Sequence, residues 1–271
     1  MIDHLKKISL DVKRAVDEFM ENSPEISGEI IKIGADGTPT SRLDIVAEDV
    51  VFKYVEENDL PLNILSEEYG FLARGYDKTL VLDPLDGSYN AENNIPFYSI
   101  SMAIGRKSLS DVEEGFVMNL ASGRYYWAIK GSGAFFMEKR IRRVERKEAL
   151  GVISLGKNVR DYVFKAIEET RRIRSMGCAS LEMIMVAEGN ADYFIYDYKN
   201  RNVLRIIDIA ASTLIVRESG GYVLDLNTFS DLDMPFDLKE RRNIVAFSKI
   251  ETLDKIRGWK NEVWDSGQPR N

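Results

Sequence analysis

The chain has 271 residues, 44% of them hydrophobic and 30% charged, with a formal net charge of −7. This is the composition of a soluble globular protein of one large or two small domains, and its acidic balance argues against nonspecific nucleic-acid binding, which needs a basic face. Its one cysteine, Cys178, excludes an intramolecular disulfide, and its one histidine, His4, argues against a histidine-rich zinc site and leaves a Ser-His-Asp triad only if His4 serves in it.

The first element predicted is a helix, because Ile2, Leu5, Ile8, Val12, Ala15, Val16 and Phe19 recur at helical spacing; it ends near Ser23-Pro24. Gly34 to Thr40 is rich in turn residues and reads as an exposed loop. A second helix runs from about Leu43 to Glu57. Leu62–Ser66 is a short strand delivering Glu67 and Glu68, and Thr79–Leu82 is a buried strand delivering Asp83. From Tyr98 to Ile141 the chain is β-rich, with Gly131 and Gly133 suited to a hairpin; the basic run Arg140–Arg143 reads as surface. Beyond Gly151 the pattern changes to a strand (Val152–Leu155), helices (Asp161–Arg171 and Ala179–Glu188), a strand (Tyr193–Tyr196) and a helix (Ile206–Glu218) stopped by Gly220-Gly221. Strands Tyr222–Leu226 and Ile244–Phe247, a short last helix from about Glu251 and a fraying tail from Ser266 complete the chain. The layout predicts an α+β lobe over residues 1–148 and an α/β lobe over residues 149–271. No run of about 18 apolar residues suggests a membrane span, and the opening lacks the plan of a signal peptide, so the expected location is cytoplasmic.

The most informative string is Thr79-Leu80-Val81-Leu82-Asp83-Pro84-Leu85-Asp86-Gly87-Ser88. An apolar strand gives way to two aspartates separated by Pro84 and Leu85. Pro84 lacks a ladder donor, so pairing is expected to stop there. Gly87 permits a tight turn, and Ser88 is placed to cap the helix that follows. Carboxylates at a helix start that also offers free N–H groups suit phosphoryl transfer. Hard cations such as Mg²⁺ take oxygen ligands, and the amides of Gly87 and Ser88 offer donors for phosphate.

This string resembles the metal-binding signature of the inositol monophosphatase / fructose-1,6-bisphosphatase superfamily. Leu65-Ser66-Glu67-Glu68 resembles its upstream Glu-Glu motif. Thr38-Pro39-Thr40, Leu43-Asp44 and Ala47-Glu48 resemble its N-terminal catalytic segment. Ile207-Asp208-Ile209-Ala210-Ala211 with Glu218-Ser219-Gly220-Gly221 resembles its C-terminal motif, with Ile207 where the family usually has tryptophan. The likeness is nearest to the archaeal bifunctional members, and it implies a five-layered α-β-α-β-α sandwich and Mg²⁺-dependent hydrolysis of phosphate monoesters of small polyols or sugars, such as inositol monophosphate and fructose 1,6-bisphosphate.

The resemblance also implies roles. Glu67, Asp83 and the Leu85 carbonyl hold an activating metal; Asp83, Asp86 and Asp208 hold a second. A third, weaker ion lies near Glu67 and the loop containing Asp36. Two to three Mg²⁺ are thus implied, replaceable by Mn²⁺. Ser88, paired with Asp44, orients and deprotonates the attacking water. Asp86, Gly87, Ser88 and Ala179 meet the substrate. The residues themselves add two basic stretches, Arg171-Arg172-Ile173-Arg174 and Lys199, Arg201 and Arg205, whose positive charge suits a second phosphate or sugar hydroxyls, with Arg174, Lys199 and Arg201 as the named candidates. Against these stand plainer roles: Asp44 as a helix cap, Asp36 as a turn residue, Glu68 as a neighbour of the ligands, Cys178 as a packing residue and the basic side chains as solvated surface. The resemblance further implies a homodimer with no nucleic-acid or membrane partner. Alternatives are a phosphatase of 3′-phosphoadenosine 5′-phosphate or another nucleotide, and a non-catalytic binding protein on the same fold.

Overall fold

A computed structural model of the protein describes residues 1–23, 25, 27–35, 37–143, 149–199 and 204–266. In chain order its elements are α1 (Ile2–Asn22), β1 (Ile30–Ile33), β2 (Pro39–Ser41), α2 (Arg42–Glu57), β3 (Asn63–Ser66), β4 (Gly70–Leu72), β5 (Thr79–Asp86) and α3 (Ser88–Glu92). There follow β6 (Ser99–Gly105), β7 (Glu114–Asn119), β8 (Tyr125–Ile129), β9 (Gly133–Phe136), β10 (Lys139–Arg140), β11 (Leu150–Ile153), α4 (Tyr162–Glu169) and β12 (Arg172–Arg174). The last are α5 (Ala179–Ala187), β13 (Tyr193–Tyr196), α6 (Ile206–Glu218), β14 (Tyr222–Asp225), β15 (Ile244–Phe247) and α7 (Glu251–Ser266).

Five layers result. Leu5, Ile8, Val12 and Val16 lie three or four residues apart on α1, and all four are fully buried. With α2 they cover one face of an eight-stranded sheet ordered β10-β9-β8-β7-β6-β5-β3-β4. On its other face lie α5 and α6, which also pack against a five-stranded sheet ordered β12-β11-β13-β15-β14. Helices α4 and α7 close the far side. The middle-layer sequences explain their position: every residue of α6 from Ile206 to Val216 is buried, as a helix apolar on all sides must be.

Four boundaries differ from the sequence reading. Strand β5 does not stop at Pro84 but continues to Asp86, because the register shifts there: Asp83 faces Ser101 and Asp86 faces Ser99. One extra residue on β5 makes a bulge, which tolerates a proline without an N–H. The stretch read as a loop ends in β2, which pairs with β1 as an antiparallel ribbon. Arg172–Arg174, read only as basic residues, forms the edge strand β12 parallel to β11. The last helix is not short: α7 spans 16 residues. Within the basic run, Arg143 is half-buried and donates to the Ser248 carbonyl. No helix among the described residues is long and apolar enough to cross a membrane.

Candidate active site

The bulge in β5 sets the site. It leaves Asp83 only 2% exposed, with its Oδ1 accepting the Leu85 N–H at 3.0 Å. Burial first, and then the neighbouring Glu67, Asp86 and Asp208 carboxylates, push the Asp83 carboxyl well above its usual range. Leu85 itself is buried. Asp86 is fixed through a single oxygen: Oδ2 accepts from Ser180 N (2.7 Å), Ser180 Oγ (2.5 Å) and Cys178 Sγ (3.2 Å). Burial raises the Asp86 carboxyl too, and the Ser180 donors oppose that rise.

Gly87 follows with φ +85°, and it caps the five-residue α3 through its backbone. Ser88 is therefore the first helical residue and not the cap. A Cβ at residue 87 would stand 3.2 Å from both Cys178 Cβ and the Phe97 carbonyl oxygen. Only glycine lets β5 turn this closely beneath the 177–178 segment.

Glu67 leaves the end of β3. It accepts from Thr38 Oγ1 at 3.3 Å and from Arg205 Nη1, and burial pushes its carboxyl up. Behind it, Thr40 Oγ1 donates to buried Glu68. Glu48 accepts the Glu68 and Tyr69 backbone N–H groups, both at 3.2 Å. Glu68 and Glu48 thus hold the chain around Glu67, and Glu68 is buried.

Asp208 arrives from the first turn of α6, where its Oδ2 accepts the Arg205 N–H at 2.6 Å. The Arg205 side chain returns to the same carboxylate, Nη2 to Oδ1 at 2.8 Å and Nε to Oδ1 at 3.1 Å, while Nη1 reaches Glu67. One guanidinium therefore joins acids that lie 138 positions from it and three positions from it in the chain.

A cleft of about 200 Å³ opens beside this cluster. Asp86, Asp208, Arg205, Gly177, Cys178 and Ala179 line it, with Thr38, Ser154, Glu182, Tyr196, Leu204 and Arg241 completing its walls. Glu182 is 1% exposed and accepts the Met176 N–H at 2.6 Å; burial pushes its carboxyl up to about 7.

Several expected participants stand elsewhere. Asp44 is the third helical residue of α2 and forms a reciprocal cap with Ser41, its Oδ2 accepting Ser41 N (2.9 Å) and Oγ (2.8 Å). Its carboxylate is engaged with Ser41 and not with Ser88, and burial pushes it up to about 6. Lys199 is exposed and pairs with Asp161 at 2.5 Å. Arg174 is exposed on β12, where it donates to the Ile173 carbonyl. Neither is among the described residues lining the cleft. Asp36 and Arg201 lie outside the described residues.

Sequence reasoning passed over Ser180, Glu182, Tyr196 and Arg241, and weighed Arg205 only as positive charge for a second phosphate or sugar hydroxyls. A signal existed for the first two: a serine and a glutamate inside a helix that is otherwise apolar all round must be buried and partnered. For Arg205 the signal was a basic residue three positions before an acid at a helix start.

The donor set is oxygen throughout, which suits a hard divalent cation and not a soft one. A cation is already gripped there, since the Arg205 guanidinium stands between Glu67 and Asp208. With that group in place, no three acidic, histidine or cysteine side chains among the described residues are arranged to hold a metal ion. The chemistry of the donor set fits a divalent ion, and Arg205 stands on two of its members, Glu67 and Asp208.

A model of the inositol monophosphatase family matches residues 6–257. A relative from Methanothermobacter thermautotrophicus, a fructose-1,6-bisphosphatase/inositol-1-monophosphatase, is 40% identical over 92% of each chain. A bifunctional NADP phosphatase/NAD kinase from Methanococcus maripaludis is 34% identical over 92% of this chain, which spans 47% of that relative. Among solved structures, a hypothetical protein from Pyrococcus horikoshii with similarities to inositol-1 monophosphatase superposes with a TM-score of 0.77 at 33% identity, covering 94% of this chain and 98% of that one.

Proposed function

Because the chain belongs to the inositol monophosphatase family, a family of metal-dependent phosphoric monoester hydrolases, we propose that it hydrolyses phosphate monoesters of small polyols and sugars, inositol monophosphate and fructose 1,6-bisphosphate foremost. One observation supports the reading above others: the carboxylates of Glu67, Asp83, Asp86 and Asp208 act on one another electrostatically beside a single cleft. Such crowding of buried acids is costly and marks a functional site.

Glu67, Asp83 and the Leu85 carbonyl would hold one ion, and Asp83, Asp86 and Asp208 a second, with Glu67 and Asp36 near a third. Bound Mg²⁺, or Mn²⁺ in its place, supplies positive charge for the phosphate and activates water. The chain's own residues do the rest. Ser180 and Cys178 fix the rotation of Asp86. The amides of Gly87 and Ser88 and the start of α5 at Ala179 receive the phosphate. Ser88 offers its hydroxyl to the attacking water. Asp44, bonded to Ser41, secures the start of α2 instead of pairing with Ser88. Arg241 and Tyr196, which line the cleft, join Arg174, Lys199 and Arg201 as candidates for the sugar or a second phosphate. The homodimer implied by the resemblance belongs to the same proposal, with sedimentation equilibrium as its check.

A phosphate-release panel tests the reading. With Mg²⁺, inositol 1-phosphate and fructose 1,6-bisphosphate should release phosphate, and EDTA should stop the release. NADP and 3′-phosphoadenosine 5′-phosphate complete the panel, since a relative named for NADP phosphatase matches most of this chain. Release from the nucleotides alone, or release untouched by EDTA, would overturn the proposal.

A further inference from the structure

Arg205 has a position that the phosphatase reading does not use. It is the residue before the first turn of α6, with an extended backbone (φ −104°, ψ 167°) that throws its side chain back over Asp208. Its guanidinium spreads over both Asp208 oxygens and reaches across to Glu67. The side chain is 14% exposed, and Asp83 is close enough to act on it as well. A guanidinium keeps its charge at any accessible pH, and its planar fork matches two carboxylates at once. A divalent ion bound by Glu67 and by Asp208 needs the same oxygens.

We propose that Arg205 is a tethered counter-cation of the acid cluster: it holds Glu67 and Asp208 in place when no ion is bound, and its guanidinium must release them before divalent ions are ligated. Arg205 thereby sets the ion affinity and is a positioning residue that meets neither substrate nor reacting water. The inference rests on the assignment of Glu67 and Asp208 as ligands.

The lysine comparison separates charge from shape. Lysine keeps one positive charge on a flexible stem but lacks the fork that spans two acids. Arg205→Lys should therefore hold the acids less firmly than arginine, and Arg205→Gln, which removes the charge, less firmly still.

The test is divalent-ion binding without substrate. Free Mn²⁺ is read by electron paramagnetic resonance, and Mg²⁺ binding by calorimetry, at one fixed pH for all chains. Arg205→Gln should bind the first ion at least tenfold more tightly than the natural chain, with Arg205→Lys between them. The ion-free Arg205→Gln protein should also melt at lower temperature, the gap narrowing at saturating Mg²⁺. If Arg205→Gln does not fold without ions, Arg205→Lys decides the matter by the same comparison. Affinity unchanged or weakened in the folded variants overturns the inference while leaving the metal reading intact. No ion binding by the natural chain, or binding that survives Asp83→Asn unchanged, overturns the metal reading and the inference with it.

Discussion

Asp83 is held where an ionised carboxylate is least comfortable, buried and ringed by three other acids. Replacing a buried charge by a neutral isostere relieves desolvation and repulsion. Asp83→Asn keeps the oxygen that accepts the Leu85 N–H. It should raise the stability of the ion-free protein by about 1–2 kcal/mol, seen as a higher melting temperature. Phosphate release should fall by about 10²–10³-fold or more in the same variant. Stability and turnover moving in opposite directions is the signature sought; a fall in both would mean that the residue only supports the fold. Glu182 gives a pH prediction. Its carboxyl sits at about 7 in the folded protein against 4.5 ordinarily, so the folded state keeps a proton that the unfolded chain has lost. Stability from this group is full below about pH 4.5, declines between about pH 4.5 and 7 and levels off above that, a loss of roughly 3 kcal/mol. Comparing chemical denaturation of Glu182→Gln and the natural chain from pH 5 to pH 8.5 should show a steeper decline in the natural chain.

At the scale of elements, the turn out of β5 depends on Gly87. An alanine there must adopt a left-handed backbone at about 1–2 kcal/mol, and its methyl group must push against Cys178 Cβ and the Phe97 carbonyl oxygen. Gly87→Ala should melt several degrees lower and release phosphate more slowly, because the displaced 177–180 segment is the one that orients Asp86. This turn also shows how much the sequence discloses. Asp83, Asp86 and Gly87 were legible because two acids after an apolar strand, closed by Gly-Ser, seldom arise from turn formation alone. The strand end was misjudged because proline usually interrupts pairing, and a bulge cannot be seen without the partner strand β6. Asp44 was ambiguous for a related reason: Ser-x-x-Asp at a helix start is equally a cap, and the Ser41 bonds show that it does cap α2. Ser180 was missed, and Arg205 was read as facing substrate and not the acids, because their partners, Asp86 and Glu67, lie 94 and 138 residues away.

Across the molecule, the middle layer transmits the packing of both sheets to the cleft. The five layers were legible only through the family resemblance; the residues by themselves disclosed two lobes, and the structure adds the physical reason, that α5 and α6 are buried almost throughout and so lie between sheets. Gly115 on β7 touches α6 directly: a Cβ there would lie 2.8 Å from the Ala211 carbonyl oxygen. Gly115→Ala should cost about 1–3 kcal/mol by overpacking, measured by denaturant unfolding. It should also lower phosphate release, because α6 cannot retreat without moving Asp208 and Arg205 at its start. Stability lost with turnover untouched would show that α6 yields elsewhere.

The bridge from Arg205 to Glu67 has a consequence for biosynthesis. Glu67 leaves the ribosome early and Asp208 late, and neither the guanidinium clasp nor the complete acid set exists until most of the chain has been translated. A truncated product ending before α6 would expose Glu67, Asp83 and Asp86 with no partner charge. Such a fragment should be a poor hydrolase, because the acid set closes only when α6 has been made.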